Sequence, residues 1–170
     1  MVVRLLTALA LVATGLLAGA LAYGSIVVRG AFYAVPPAVH LAYRAEFIRH
    51  NTPLMPAVMA ISIVLCAVLA AVVRDRLARG YAAGAAALTL TCVVISSLGN
   101  IPINHQIQLW SPTAPPADYL AILTRWDQYH DLRTLAVVGS FLLVVLLAAG
   151  LGRDAAAGSA TAARSELVPR

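Results

Sequence analysis

Residues 5–28 read LLTALALVATGLLAGALAYGSIVV, a run of 24 residues without a charged side chain. With about 1.5 Å of rise per residue, a helix of this run is about 36 Å long, which is enough to cross a hydrocarbon core of about 30 Å. Arg4 and the triplet Ala18-Gly19-Ala20 also fit a secretory signal peptide, but the apolar run is longer than a usual signal core. We therefore predict a membrane-spanning helix here.

Three further apolar runs follow, at residues 54–73, 81–98 and 135–151, and no stretch shows a strand pattern. Between the first two runs, Pro36-Pro37 interrupts the chain, and residues 38–51 can form a helix of their own. The sequence predicts an all-α fold, a four-helix transmembrane bundle with a short extra helix in the first connection.

The chain divides into a membrane domain and a tail. Residues 1–153 carry all four apolar runs and form one four-helix membrane domain. Residues 154–170 are rich in Ala, Gly, Ser and Thr, which predicts a flexible tail. The last four residues, 167–170, read LVPR and fit the scar of a protease-cleavable tag.

The composition is that of a membrane protein. Hydrophobic residues make up 61% of the chain and charged residues only 11%, whereas about a quarter of a soluble domain is charged. The net charge of +5 comes from arginine alone, and the arginines are spread over helix ends, so we expect no nucleic-acid partner. Cys66 and Cys92 lie singly in apolar runs, which excludes a CxxC redox centre and predicts two core residues.

The order of the apolar runs gives the molecule two different ends. With four spans, the first and third connections emerge on one membrane face, and these two connections carry all four histidines. Arg74, Arg76 and Arg79 crowd the short second connection, which favours the cytoplasmic side for that turn. We expect a multi-pass protein of the bacterial plasma membrane with both termini in the cytoplasm, and homo-oligomerisation is left open.

The first polar cluster lies in the third connection, where residues 100–104 read NIPIN directly after an apolar run. Pro102 lacks a backbone donor and disfavours helical geometry at the residue before it. Backbone polar groups that lose their helical hydrogen bonds at this depth of the membrane are tolerated only inside protein or beside a water-filled cavity. Asn100 and Asn104 therefore either cap a broken helix or line a polar pocket.

The second cluster leads into the last apolar run. Trp126, His130, Arg133 and Val137 fall on one helical stripe. An arginine at the threshold of an apolar helix rarely faces lipid, so we expect Arg133 inside the bundle. There it either bridges to an aspartate, with Trp126 as an interface anchor, or it lines a site.

The other polar residues of the first and third connections suggest two further kinds of site, a ligand contact and a metal site. In the first connection, His40 and Arg44 share one side of the predicted extra helix and are expected to contact a ligand. Metal binding is not favoured because no HExxH or HxxxH motif is present. If a copper or zinc ion were bound, its ligands would be His50, His105 and His130.

The NIPIN stretch, followed by Trp126, His130 and Arg133 before a last apolar helix, resembles the anthrone-oxygenase-like membrane family (domain of unknown function 1772). The resemblance spans residues 5–151, and its motif residues here are Asn100, Pro102, Asn104, Trp126, His130 and Arg133. It implies a four-helix integral membrane protein, in some members a monooxygenase that oxidises anthrones to anthraquinones with molecular oxygen.

That chemistry suits these residue types. His130 would be the base, Arg133 and Asn104 would stabilise the oxyanion, and Trp126 would be the aromatic wall, with Asn100, His40 and Arg44 as further substrate contacts. An anthrone anion reacts with oxygen by itself, so we expect no flavin, nicotinamide or haem. The alternatives are a non-enzymatic binding or accessory membrane protein and a metal-binding membrane protein that uses the clustered histidines. A transporter comes third, because four helices would need to oligomerise to form a path. An enzyme predicts a closed, substrate-sized cavity beneath the first and third connections, whereas an accessory protein predicts polar groups that satisfy one another without a void.

Overall fold

The computed structural model describes residues 1–110 and 114–166, with side chains described as far as residue 150. Four long helices account for almost all of it: α1 (Val2–Tyr33), α2 (Pro37–Val72), α3 (Arg76–Leu109) and α4 (Tyr119–Glu166). No strand occurs in the described residues. The predicted all-α four-helix bundle is confirmed. The predicted flexible tail, 154–170, lies outside the residues whose side chains are described, and its last four residues lie outside the described backbone as well.

The helices form a ring in which each packs against its neighbours in sequence, and α4 closes the ring against α1. Short connections make neighbouring helices antiparallel, so the first and third connections lie together at one end. Each helix is long and apolar enough to span a bilayer. The outward faces carry exposed aliphatic side chains such as Leu16, Ile61 and Leu142, as expected of surfaces that contact lipid.

The extra helix predicted for residues 38–51 is not separate, because α2 runs without interruption from Pro37 to Val72 and includes Pro53 and Pro56. Directly before Pro53, the side chains of His50, Asn51 and Thr52 donate hydrogen bonds to the carbonyls four residues earlier. The acceptors are the carbonyls of Glu46, Phe47 and Ile48, whereas the carbonyl that loses its helical donor to Pro53 is that of Arg49, so these bonds do not replace the missing one.

The helix break expected at Pro102 is likewise absent, because α3 continues to Leu109. A π-helical turn, Ser96–Asn100, lies directly before the proline. Local π-helical adjustment is one way in which membrane helices accommodate proline. A second π-helical turn, Gly24–Val28, lies at the same end of the bundle in α1. Such turns are rare and are often found at functional sites.

The core consists of three layers along the bundle. One, near the termini, includes the fully buried Cys66, and the next includes the fully buried Cys92. The third lies under the first and third connections and includes Ile103 and Leu123. The two cysteines are therefore buried core residues in different layers, as predicted. The candidate site lies between the second and third layers.

Candidate active site

A cavity of about 800 Å³ lies at the end of the bundle that holds the first and third connections. All four helices contribute to its walls. The lining includes Leu21 and Gly24 of α1, Phe47, Met55 and Met59 of α2, Ser96 and Asn104 of α3, and Trp126, His130 and Arg133 of α4. The volume lies within the range of about 300–1,000 Å³ that is usual for small-molecule sites. A substrate-sized cavity therefore lies where an enzyme was predicted to have one, but it opens to the surface, whereas the predicted cavity was closed.

The cavity opens to the surface along α2. Its exposed lining residues are Phe47, Arg49, Thr52, Pro53, Pro56 and Ala60 on α2, Ser97, Ile101, His105 and Gln108 on α3, and Ala20 and Tyr23 on α1. The α2 side of the mouth coincides with the start of the apolar run at residues 54–73. The opening therefore faces sideways, at the level where the polar end of the bundle meets its apolar part.

Trp126 connects the polar side chains of the site. Its Nε1 donates to Oδ1 of Asn104 at 2.6 Å, and its ring stacks on His130 with ring centroids 5.0 Å apart and planes 13° apart. The guanidinium of Arg44 lies 4.7 Å from the centroid of the Trp126 ring. Because Oδ1 of Asn104 accepts from the indole, the Nδ2 of Asn104 is the group that can donate to a ligand.

The hydrogen bonds of His130 define its protonation. Its Nε2 lies 3.2 Å from the carbonyl of Leu21, which can only accept. Its Nδ1 lies 3.2 Å from Nε and 2.8 Å from Nη2 of Arg133, which can only donate. His130 is therefore the neutral tautomer with the proton on Nε2. A Cβ atom at Gly24 would lie 2.9 Å from that Nε2, so this side of the ring admits only a glycine.

Arg133 has no carboxylate partner among the described residues. Its Nη1 donates to the hydroxyl of Ser96 at 3.1 Å, and its Nε and Nη2 point to Nδ1 of His130. Asp127 and Asp131, the nearby acids on α4, pair instead with Arg44 and Arg29. The alternative that Arg133 bridges to an aspartate is therefore wrong. The cavity lining contains no Asp or Glu, so the site is electropositive.

Three residues expected to contact a ligand do not line the cavity, because each is engaged by protein. Arg44 is 2% exposed and binds Asp127 at 2.9 Å, and His40 stacks on Phe32. Asn100 is fully buried, and its Nδ2 donates to the carbonyl of Trp126 at 3.0 Å. Arg44 and Asn100 thus hold the start of α4 in place, whereas His40 packs against α1. Neither asparagine caps a helix, and only Asn104 lines the cavity.

The three histidines considered as metal ligands are not gathered. His130 lies inside the cavity and His105 lies at its mouth. The His50 side chain is 81% exposed and bonds to the carbonyl of Glu46 on its own helix. Within residues 1–110 and 114–150, no three His, Cys, Asp or Glu side chains are grouped closely enough to hold a metal ion.

The sequence analysis missed Ser96 and Gly24, which contact Arg133 and border His130. For Ser96 a signal was present: Ser96, Asn100 and Asn104 are spaced four residues apart, as residues on one helix face are. The expectation that the helix ends near residue 98 concealed this spacing. For Gly24 no signal was available, because its role depends on the approach of α4 to α1.

Comparison with known proteins identifies one matching family. The family profile described as anthrone oxygenase matches residues 45–143, which is more than half of the chain. The matched region includes α3 and the cavity-lining residues Asn104, Trp126, His130 and Arg133. No curated protein and no solved structure matches the sequence. The chain therefore belongs to the anthrone oxygenase family of integral membrane proteins.

Proposed function

We propose that this protein is an oxygenase that converts an anthrone-like, lipophilic polycyclic substrate into a quinone with molecular oxygen. One observation carries the proposal. Arg133 presents a guanidinium, without a carboxylate partner in the described part of the chain, to a substrate-sized cavity that also contains the aromatic side chain of Trp126. A fixed cation in a cavity without acids stabilises a developing oxyanion, and an indole provides contact area for a flat ring system.

The reaction is an anthrone plus O₂ giving an anthraquinone plus water. Removal of one proton gives an anion that is delocalised over the oxygen and the opposite ring carbon. That carbon reduces oxygen and forms a peroxide, and cleavage of the O–O bond with loss of the carbon's hydrogen leaves the second carbonyl and water. The anion supplies the electrons, so the proposal requires no flavin, nicotinamide, haem or metal.

The catalytic roles fall to three residues. His130 has one basic nitrogen, Nδ1, and therefore acts as the base once Arg133 moves to a ligand. Arg133 and the Nδ2 of Asn104 are the donors for the oxyanion. Trp126 positions the ring system, and Arg44 and Asn100 act indirectly by supporting Trp126, while His40 packs against Phe32 and Tyr33 of α1.

The substrate reaches the cavity from the bilayer. The mouth lies along α2 beside its apolar run, so a lipophilic molecule dissolved in the membrane can enter the cavity past this helix. We place the termini and the arginine-rich turn around Arg74, Arg76 and Arg79 in the cytoplasm, which puts the cavity at the opposite face.

The test is turnover by the purified protein in lipid nanodiscs. Anthrone is supplied under ¹⁸O₂ without added cofactor, in the presence and absence of a chelator, and anthraquinone is quantified by absorbance and mass spectrometry. We expect formation well above the rate in empty nanodiscs, one ¹⁸O atom per quinone and no effect of the chelator. A folded protein that binds anthrone without accelerating its oxidation would instead be an accessory binding protein.

A further inference from the structure

The contact between His130 and Arg133 limits where each can act on a substrate. The two side chains touch, with Nη2 of Arg133 2.8 Å from Nδ1 of His130. In an anthrone, the acidic CH₂ group and the carbonyl lie at opposite positions of the central ring. A base that attacks the CH₂ group and a donor that holds the carbonyl oxygen would have to stand on opposite sides of that ring. Two groups in contact are better placed to act on one atom.

The hydrogen-bonding character of the pair shows what that atom must be. Nδ1 of His130 can only accept, because Nε2 carries the proton, and Arg133 can only donate. A ligand group that enters between them must donate to Nδ1 and accept from the guanidinium. A ketone oxygen satisfies Arg133 alone and leaves Nδ1 without its donor. A hydroxyl group satisfies both.

We propose that the cavity binds the hydroxyl tautomer of its polycyclic substrate and ionises it at oxygen. This inference rests on the proposed function and specifies the form of the substrate. The O–H bond breaks with its electron pair left on oxygen, and the proton goes to Nδ1 of His130. Arg133 and the new Nδ1–H then both donate to the aryl oxide. No oxidant takes part in this step, and the anion is the same one that loss of the carbon-bound proton would give.

The surroundings of the pair suit an aryl oxide. Trp126 stacks on His130 at 5.0 Å, so a ring attached to the bound oxygen lies close to the indole. No acidic side chain lines the cavity to repel the new negative charge. Ser96 holds Nη1 of Arg133 at 3.1 Å, which anchors the guanidinium while its other donors change partner. The site therefore selects planar polycyclic alcohols over the corresponding ketones and ethers.

The proposal is tested with 1-hydroxypyrene, a planar polycyclic phenol whose anion absorbs at longer wavelength than the neutral form. At pH 7 the free probe is mostly protonated, because phenols ionise near pH 10, as tyrosine does. The wild-type protein in nanodiscs should bind it as the anion. In Arg133→Gln the absorbance of the bound anion should fall at least about tenfold, which corresponds to about 1.4 kcal/mol less free energy of anion binding. Arg125→Gln, at an exposed position of the same helix, should retain the band.

Two controls keep the test independent of folding. 1-Methoxypyrene cannot ionise and should bind the wild type and Arg133→Gln alike, which shows that the cavity is intact. His130→Gln can still accept from Arg133 but cannot take a proton, so it should bind 1-hydroxypyrene in the neutral form. Neutral absorption in the wild type, or an undiminished anion band in Arg133→Gln, would overturn the proposal.

The outcome is separable from that of the proposed function. Oxidation of anthrone by a protein that binds 1-hydroxypyrene only in its neutral form would refute this inference and leave the oxygenase standing. Binding of the anion by a protein that does not oxidise anthrone would support the inference and refute the oxygenase.

Discussion

Loss of the Asp127 carboxylate should destabilise the protein far more than loss of the neighbouring carboxylate at Asp131. Asp127 accepts from Arg44 at 2.9 Å and from the hydroxyl of Tyr33 at 2.8 Å, and the side chains of the Asp127–Arg44 pair are 11% and 2% exposed. Asp131 pairs with Arg29 at 2.6 Å, but there the side chains are 45% and 36% exposed. The two acids lie one helical turn apart, so each is a matched control for the other.

The expected magnitudes follow from burial. Asp127→Asn leaves the buried guanidinium of Arg44 without a counter-charge, and breaking a buried pair in this way costs about 3–5 kcal/mol of unfolding free energy. Asp131→Asn breaks a solvated pair, which is worth about 0–1 kcal/mol. Titration of the protein from mild detergent into SDS, followed by circular dichroism, measures both losses. The double variant Arg44→Met/Asp127→Asn should recover part of the loss, because it leaves no unpaired buried charge.

Equal losses for Asp127→Asn and Asp131→Asn would refute this reasoning. It would also fail if the double variant were as unstable as the sum of its single variants, because the charge of Arg44 would then not be the cause of the damage.

Three further variants test the packing, the mouth and the cysteines. Gly99→Ala should lower the free energy of unfolding by about 1–3 kcal/mol, because its Cβ would overlap the ring of Tyr129. Gly30→Ala has open space around it and should leave that free energy unchanged or raise it by up to about 1 kcal/mol in the same SDS titration. Ala60→Trp at the mouth should raise KM for anthrone several-fold with kcat nearly unchanged. Ala57→Trp, exposed on the same helix but outside the lining, should change neither, and equal KM values for the two variants would contradict access along α2. Cys66→Ala should leave anthrone turnover intact, because the thiol is buried in another core layer, and its loss in a stable protein would place chemistry at that thiol.

The architecture could be predicted because its cause is local. Runs of about twenty apolar residues without charge cross a membrane as helices, and four such runs fix which connections share a face. The order of these runs along the chain is enough to predict that His130 and Asn104 lie at the same end of the bundle. The helical stripe of Trp126, His130 and Arg133 could also be read directly, since one face of an α-helix repeats every three to four residues.

The details that shape the site depend on contacts between helices. Both helices continue past their prolines, α2 through Pro53 and α3 through Pro102 with a π-helical turn directly before it, and this continuity does not follow from the proline itself. The partner of Arg44 could not be predicted, because Asp127 and Asp131 are equally plausible in sequence and only the packing buries one of them. Arg44 therefore supports the site from outside the cavity, although its residue type suggested a ligand contact.

The most direct test of the central claim, that Arg133 stabilises an oxyanion in a substrate cavity, is the initial rate of anthraquinone formation from anthrone under air. The comparison is between Arg133→Gln and Arg125→Gln in nanodiscs, each corrected for empty nanodiscs. Arg133→Gln should lose about 10²–10³ in kcat, as is usual when an oxyanion donor is removed. Arg125→Gln should match the wild type. Equal rates in two folded variants would contradict the account.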